Sequence, residues 1–182
     1  MDQSIINFKV YEDSVEYVGM AQATLPDLTA LTQSISGAGI AGNVESVILG
    51  HFDAMTLGLN FRTVTDQSDH VVAFMAHGAC FRHAQRHRRH TIDLRVAQQD
   101  EDVVAGKVVV RAVKHILVVI PKSDKGGSVA PAAPSNGSGE YAVRYWATYI
   151  DGKKVREVDQ LNFICYVNGT DYLADVRKAL GM

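Results

Sequence analysis

Cysteine and proline are scarce: two cysteines, Cys80 and Cys165, and four prolines stand among 182 residues. Two thiols are too few for a disulfide framework, which excludes the small stapled scaffolds of secreted proteins. Long apolar runs are missing too. The nearest is HILVVI, far short of the roughly 20 residues that cross a bilayer as a helix, so no membrane insertion is expected of this chain. The opening MDQSIINFKVYED lacks the basic and apolar regions of a secretory signal. Synthesis in a reducing cytoplasm is therefore expected, and the acceptor strings at Asn136 and Asn168 then carry no glycan. Charge of one sign is also lacking. Eighteen Lys and Arg against twenty Asp and Glu leave a net −2, without the basic surplus of a dedicated duplex binder. Neither GxSxG nor HExxH occurs, and the carboxylates Asp100, Glu101 and Asp102 sit in a polar turn where water keeps them ionised. No catalytic residue, metal or other cofactor is expected.

What is present is strand patterning. In MTLGLNFRTVT, Met55, Leu57, Leu59 and Phe61 share one face while Thr56, Gly58, Asn60 and Arg62 take the other. TIDLRVAQ reads as a second strand with Ile92, Leu94 and Val96 inward. KVVVRAVKHILVVI is a long β-branched third, expected to be covered on both faces for part of its length. YAVRYWATYI and VDQLNFICYV flank DGKK, where Asp151-Gly152 supplies the positive φ angles of a tight hairpin turn. Helical signals are fewer. DYLADVRKALG has Asp171 to cap, Leu173, Val176 and Leu180 as a stripe, Arg177 and Lys178 in the last turn and Gly181 as the stop. SDHVVAFMA, from Ser68, is a second helix candidate. Residues 121–139 hold three of the four prolines and a cluster of glycines, a composition that forms no core and predicts a flexible loop inside a single domain, 1–182.

Two stretches invite a chemical reading. CFRHAQRHRRH, residues 80–90, would place His83, His87 and His90 on one helical stripe with Cys80 a turn earlier, a set zinc accepts. Against this, Arg82, Arg86, Arg88 and Arg89 crowd the same turns with fixed positive charge, and no carboxylate lies within the stretch to orient a ligand. The arginines suit phosphates, but Phe81 is the one aromatic beside them, so base stacking is weak. A solvated or partner-facing surface is the expectation, with a metal- or nucleic-acid-binding accessory module as the alternative. GAGIAG, Gly37 to Gly42, matches a dinucleotide string literally, yet NVESVILGHF after it reads as a strand where that motif needs a helix.

Three longer stretches carry a resemblance. LPDLTALTQSISGAGIAGNVESVILGHFDAMTLGLNFRT, HTIDLRVAQQD and YIDGKKVREVDQLNFICYVNGTDYLADVRKALG, joined by KVVVRAVKHILVV, are similar to the major tail tube proteins of contractile-tailed bacteriophages and R-type bacteriocins. HVVAFMAHGACFRHAQRHRR and the Pro/Gly loop depart from that pattern. The resemblance implies a mainly β (α+β) fold: an antiparallel sandwich or partial barrel with a flanking α-helix and a C-terminal helix. It further implies hexameric rings stacked into a tube within the virion tail, with tail sheath, baseplate and tail-terminator proteins as partners. Phage DNA would pass down the lumen without specific binding, and a mildly acidic wall suits a conduit that must not hold its cargo. Arg82, Arg86, Arg88 and Arg89 are then expected to face away from the lumen. ISGAGIAG offers almost no side chain to a core, yet it carries Ile35 and Ile40 and a high ordering entropy. Ile35, Gly37, Gly39, Ile40 and Gly42 are therefore expected at a contact between subunits.

Overall fold

Alternation at residues 55–61 sets the pattern of the domain. In the computed structural model these residues form strand β6 (Met55–Phe61), with Met55, Leu57, Leu59 and Phe61 buried and the residues between them half-buried. The structure describes residues 2–12, 15–17, 19–62, 90–102 and 106–182. The helix candidate at 68–76 and residues 80–89 of the His/Arg stretch lie outside them.

Before β6 come β1 (Asp2–Glu12), β2 (Val15–Tyr17), β3 (Met20–Thr24), β4 (Ala30–Ile35) and β5 (Val44–Phe52). After it come β7 (His90–Asp102), β8 (Lys107–Lys125), β9 (Gly137–Ile150), β10 (Lys153–Asp159), β11 (Ile164–Val167), β12 (Thr170–Asp171) and the helix α1 (Ala174–Leu180). One antiparallel sheet runs β12-β11-β10-β9-β8-β7-β1-β2, and among the described residues β4 pairs with β5 alone. The large sheet forks at β9. One edge of β9 pairs with β8 along nearly its whole length, while the other pairs with β6 up to Val143 and with β10 from Tyr145. Arg144, exposed at the fork, falls where the β8 register shifts, and an extra residue of this kind sharpens the local bend.

The bend folds β6 and β3 back over the sheet, and the core fills the space between. Val10, Ile92, Leu94, Leu117, Val119, Tyr141, Val143, Trp146 and Val158 meet the four apolar residues of β6 there. Each fully buried leucine or isoleucine contributes about 2–3 kcal/mol of hydrophobic stabilisation. Ile92 and Leu94 point inward as their alternation predicts, and Val96 packs half-buried at the margin. Asp151 (φ 49°) and Gly152 (φ 80°) make the two-residue turn joining β9 to β10.

Five expectations need correction. Asp100, Glu101 and Asp102 do not sit in a turn: they end β7, and Asp100 is buried with its carboxylate 2.7 Å from Arg111 Nε. The loop of 121–139 is shorter, because Pro121 to Lys125 continue β8 and Gly137 to Gly139 begin β9, leaving 126–136 between them. VDQLNFICYV is not one strand: β10 ends at Asp159, whose carboxylate accepts from the Leu161 and Asn162 N–H groups, and Phe163 turns at φ 50° before β11. Asp171 does not occupy the N-cap of α1. It accepts from the Leu173 N–H at 3.1 Å and pairs with Arg177, while Leu180 is exposed, so the stripe buries Leu173 but not its far end. Finally, the described residues do not cover β8 on both faces, since His115, Leu117 and Val119 are buried but Lys114, Ile116 and Val118 only partly so. The helix stop holds: Gly181 is left-handed, and the Gly181 and Met182 N–H groups close back on Lys178 and Arg177.

The 126–136 loop is pinned at its stem. The Ser128 N–H donates to Ser135 O at 2.7 Å, and the Ser135 N–H to Arg62 O at 2.9 Å. Gly127 sits at φ 73°, and a Cβ there would fall 2.0 Å from the Ser135 carbonyl oxygen. Gly127→Ala is expected to lower stability by about 1–2 kcal/mol, the exposed loop relaxing part of the overlap. Denaturant titration measures it, and an unchanged midpoint would mean the stem is not closed in solution.

Candidate functional site

Among the described residues, exposed apolar side chains concentrate on the β4–β5 hairpin. By register, Ile35 pairs with Val44 on one face and Thr32 with Val47 on the other, so apolar side chains appear on both. Leu31, Ile35, Ile40, Val44, Val47, Ile48 and Leu49 are all exposed, Val47 at 63% and Leu49 at 65%. At its base the hairpin is tied to the domain. The Asp53 N–H donates to Thr29 O, and Gly50 packs so closely on Leu173 that a Cβ would lie 3.1 Å from it. Ile35 ends β4, and Gly37, Gly39, Ile40 and Gly42 form the tip. There the Ile40 N–H donates to Gly37 O at 3.1 Å, and nothing lies within 4 Å of a Cβ built on any of the three glycines. The five residues singled out in the sequence are thus brought together on one arm.

Sheet edges supply the second surface. β2 covers β1 only at Val10–Glu12, and β9 meets β8 only from Val113 onward. Residues 2–9 of β1 and 107–111 of β8 therefore present main-chain groups with no neighbouring strand among the described residues. Asp151 closes the inner end of the second edge, accepting from the Ala112 N–H at 3.0 Å while its own N–H donates to Ala112 O. Through β7 the two edges are level: Asp2, Glu101 and Val108 share one row, and Ile5, Gln98 and Arg111 another. Ile5 (68% exposed) and Val110 (61%) give both edges an apolar component. Open edges carrying apolar side chains are templates for a strand from another chain.

The His/Arg stretch contributes one described residue, His90. It opens a strand, which takes it off any helical stripe, and it lies buried with Nδ1 3.2 Å from the buried Glu12 carboxylate. Glu12, some 78 positions away, is the carboxylate that the stretch itself lacks. Arg82, Arg86, Arg88 and Arg89 are outside the described residues. A second buried histidine, His115, has Nδ1 within 3.1 Å of Thr148 Oγ1 and 3.4 Å of the Trp146 indole N–H. Burial first, and then the Arg156 guanidinium stacked 3.6 Å over Trp146, lower its pKa to about 4. The indole N–H needs an acceptor, so Nδ1 is unprotonated and the ring neutral. This is a satisfied core group with no open position for a substrate. Among the described residues, no three His, Cys, Asp or Glu side chains converge as a metal site, and no helix is long and apolar enough to cross a membrane.

The surfaces are those of a part that assembles, and the sequence profile of the phage tail tube protein FII family matches residues 2–181. The chain belongs to this family. It is a phage tail tube protein, structural and not enzymatic. Among solved structures, the sheath/tube terminator of an extracellular contractile injection system, PVC, in its extended state is similar with a TM-score of 0.53 at 9% identity, covering 79% of this chain and 94% of that one. The PVC sheath-tube complex follows at 0.45 and 10%, covering 83% and 86%. The tube-terminating cap of the anti-feeding prophage stands at 0.46 and 14%, covering 79% and 86%. A search of curated proteins gave no significant match. The first of these likenesses supports the shared fold.

For a tail tube protein, the exposed apolar residues that sequence reasoning did not single out are Leu31, Val44, Val47, Ile48 and Leu49 on the arm, and it did not find the open β1 and β8 edges. A signal for the arm was present in NVESVILGHF, where Val47, Ile48 and Leu49 run consecutively inside a short strand. Three apolar residues in a row cannot all face one side of a strand, so apolar side chains stand on both. The edges carry no such signal, because whether a strand has a neighbour depends on where other strands end.

Proposed function

We propose that copies of this tube protein join side by side into hexameric rings through the β1 and β8 edges, and that the rings stack through the β4–β5 arms. The resulting hollow tube stands inside a contractile sheath, is bounded by baseplate and tail-terminator proteins, and carries phage DNA down its lumen without binding it specifically. Assembly takes place in the bacterial cytoplasm. The observation that carries this reading is the pair of level, open edges on one sheet. Cyclic symmetry keeps strand direction from copy to copy, and β1 and β8 both run antiparallel to β7. The β8 edge of one copy therefore meets the β1 edge of the next in parallel, closing the ring without leaving a free edge.

Electron microscopy of the purified protein is expected to show stacked rings with six-fold end views; dispersed monomers at high concentration would refute the proposal. Gly39→Val is expected to remain soluble with near-native circular dichroism, since the tip offers a Cβ no intramolecular neighbour and an exposed loop adjusts to the strained φ of 93°. Tube assembly should fail or slow severely. A variant that assembles normally removes the tip from the contact, and one that unfolds places it in the monomer's own stability.

A further inference from the structure

One face of the large sheet buries the core through Val10, Ile92, Leu94, Leu117 and Trp146, so only the other is free to line a bore. That free face carries an open groove of about 1040 Å³ lined by Lys9, Arg95, Lys114, Ile116 and Tyr149. A wall made from it alone would display a row of cations. Register puts Lys9 beside Arg95, Arg95 beside Lys114, Lys114 beside Tyr149 and Tyr149 beside Lys154, straight across five strands. Such a row is a phosphate track.

Each of the four cations in the row meets a carboxylate on the same face, and Arg95 and Lys114 share theirs. Lys9 Nζ lies 2.8 Å from Glu16, and Lys154 pairs with Glu157, which also accepts from the Tyr145 hydroxyl at 2.8 Å. Asp93 holds two cations at once: its Oδ2 is 3.1 Å from an Arg95 guanidinium nitrogen and 3.1 Å from Lys114 Nζ. The cations are exposed, with 58% of the Arg95 side chain and 41% of the Lys114 side chain in solvent, whereas Asp93 shows only 18%. The acid is tucked beneath the bases it pairs with. Arg95 also stacks over Tyr11 at 4.7 Å and Lys154 over Tyr166 at 4.9 Å, which restrains both heads against the wall.

We propose that this face lines the tube's bore and that Asp93, shared by Arg95 and Lys114, offsets one of their two charges and ties both heads to the wall, which weakens the wall's grip on passing duplex DNA. The proposal rests on the tube reading above and adds to it a residue that lowers the bore's hold on its cargo. Cyclic assembly multiplies a single change: Asp93→Asn frees two cations in every subunit of every ring. Each freed cation that meets a phosphate adds about 0.9 to the salt slope of DNA binding.

The test assembles tubes in the presence of a short DNA duplex, digests with nuclease and quantifies the protected duplex over a range of salt. Wild-type tubes are expected to protect almost none. Asp93→Asn tubes are expected to protect at least about tenfold more at low salt, with a steeper salt dependence. Adding Arg95→Gln and Lys114→Gln to Asp93→Asn should return protection to the wild-type level. Equal protection by wild type and Asp93→Asn overturns the proposal, as does binding that stays nuclease-sensitive, which would put this face outside the tube. Should Asp93→Asn fail to assemble, Glu157→Gln, which frees Lys154 in the same row, and the duplex affinity of unassembled subunits carry the same expectations. A wild-type protein that forms no tubes would refute the function reading itself, separately from the role of Asp93.

Discussion

Val47→Asp subunits are expected to stay dispersed at concentrations where the wild-type protein forms tubes, with circular dichroism and melting temperature nearly unchanged. In the isolated chain Val47 is mostly in solvent, so its replacement removes little that holds the monomer together. On the stacking proposed above, the same position meets another copy. There the substitution forfeits about 1.5–2 kcal/mol of apolar burial and forces an unpaired carboxylate out of water, a penalty of several kcal/mol. Both terms recur at every copy around a ring, so the stacking equilibrium shifts by many powers of ten. Sedimentation and electron microscopy read the result. Normal tubes would show that the arm faces solvent in the particle, and loss of the folded spectrum would show that the arm belongs to the monomer's own core.

Acid is expected to weaken the fold through His115, and His115→Gln is expected to remove most of that weakness. The folded-state pKa of about 4 lies below the ordinary 6.5, so as pH falls through 6.5 the unfolded chain takes up a proton that the folded chain refuses. Stability contributed by the neutral ring is therefore whole above 6.5, declines between 6.5 and 4, and levels off below that. The drop across the window is about 2–3 kcal/mol. Glutamine offers Trp146 and Thr148 an acceptor that does not titrate. Its pH profile should run flatter than the wild-type profile by that amount, after a modest loss at neutral pH from imperfect packing. Denaturant midpoints at pH 7 and pH 4.5 measure the difference; parallel profiles would mean that His115 protonates in place.

Local chemistry made much of the architecture legible. The buried set of β6 was readable residue by residue because strand side chains alternate and nothing interrupts the alternation between Met55 and Phe61. The Asp151-Gly152 turn and the Gly181 stop were readable because few residues accept a positive φ. The Pro/Gly segment was misjudged at both ends for the complementary reason. Pro121 and Gly137 disfavour strands on average, but here both lie where the β8–β9 pairing tolerates them, Pro121 beside a register shift and Gly137 where strand pairing begins. Asp171 was assigned to a cap because composition reveals a carboxylate near a helix start, not that Arg177 would reach back for it.

The arm shows the boundary between the two kinds of knowledge. Its glycines and isoleucines marked a segment without a core of its own, and that inference needed only composition. That the segment is a hairpin with apolar residues on both faces, pairing among the described residues only with itself, follows from where β4 and β5 fail to meet any other described strand.

The sequence by itself determined which residues of each strand face the same way, where the chain reverses, and, through a resemblance spread over most of its length, the family. Those properties rest on neighbours one to four positions apart, whose geometry the backbone sets directly. Tertiary structure alone decided that the sheet forks at Arg144, that His90 meets Glu12, that the β1 and β8 edges end level, and that one carboxylate, Asp93, stands between Arg95 and Lys114. Each depends on the register between strands far apart in the chain. A slip of one residue would turn every side chain to the opposite face, so register is chosen by the packing of the whole core at once and is written in no single stretch.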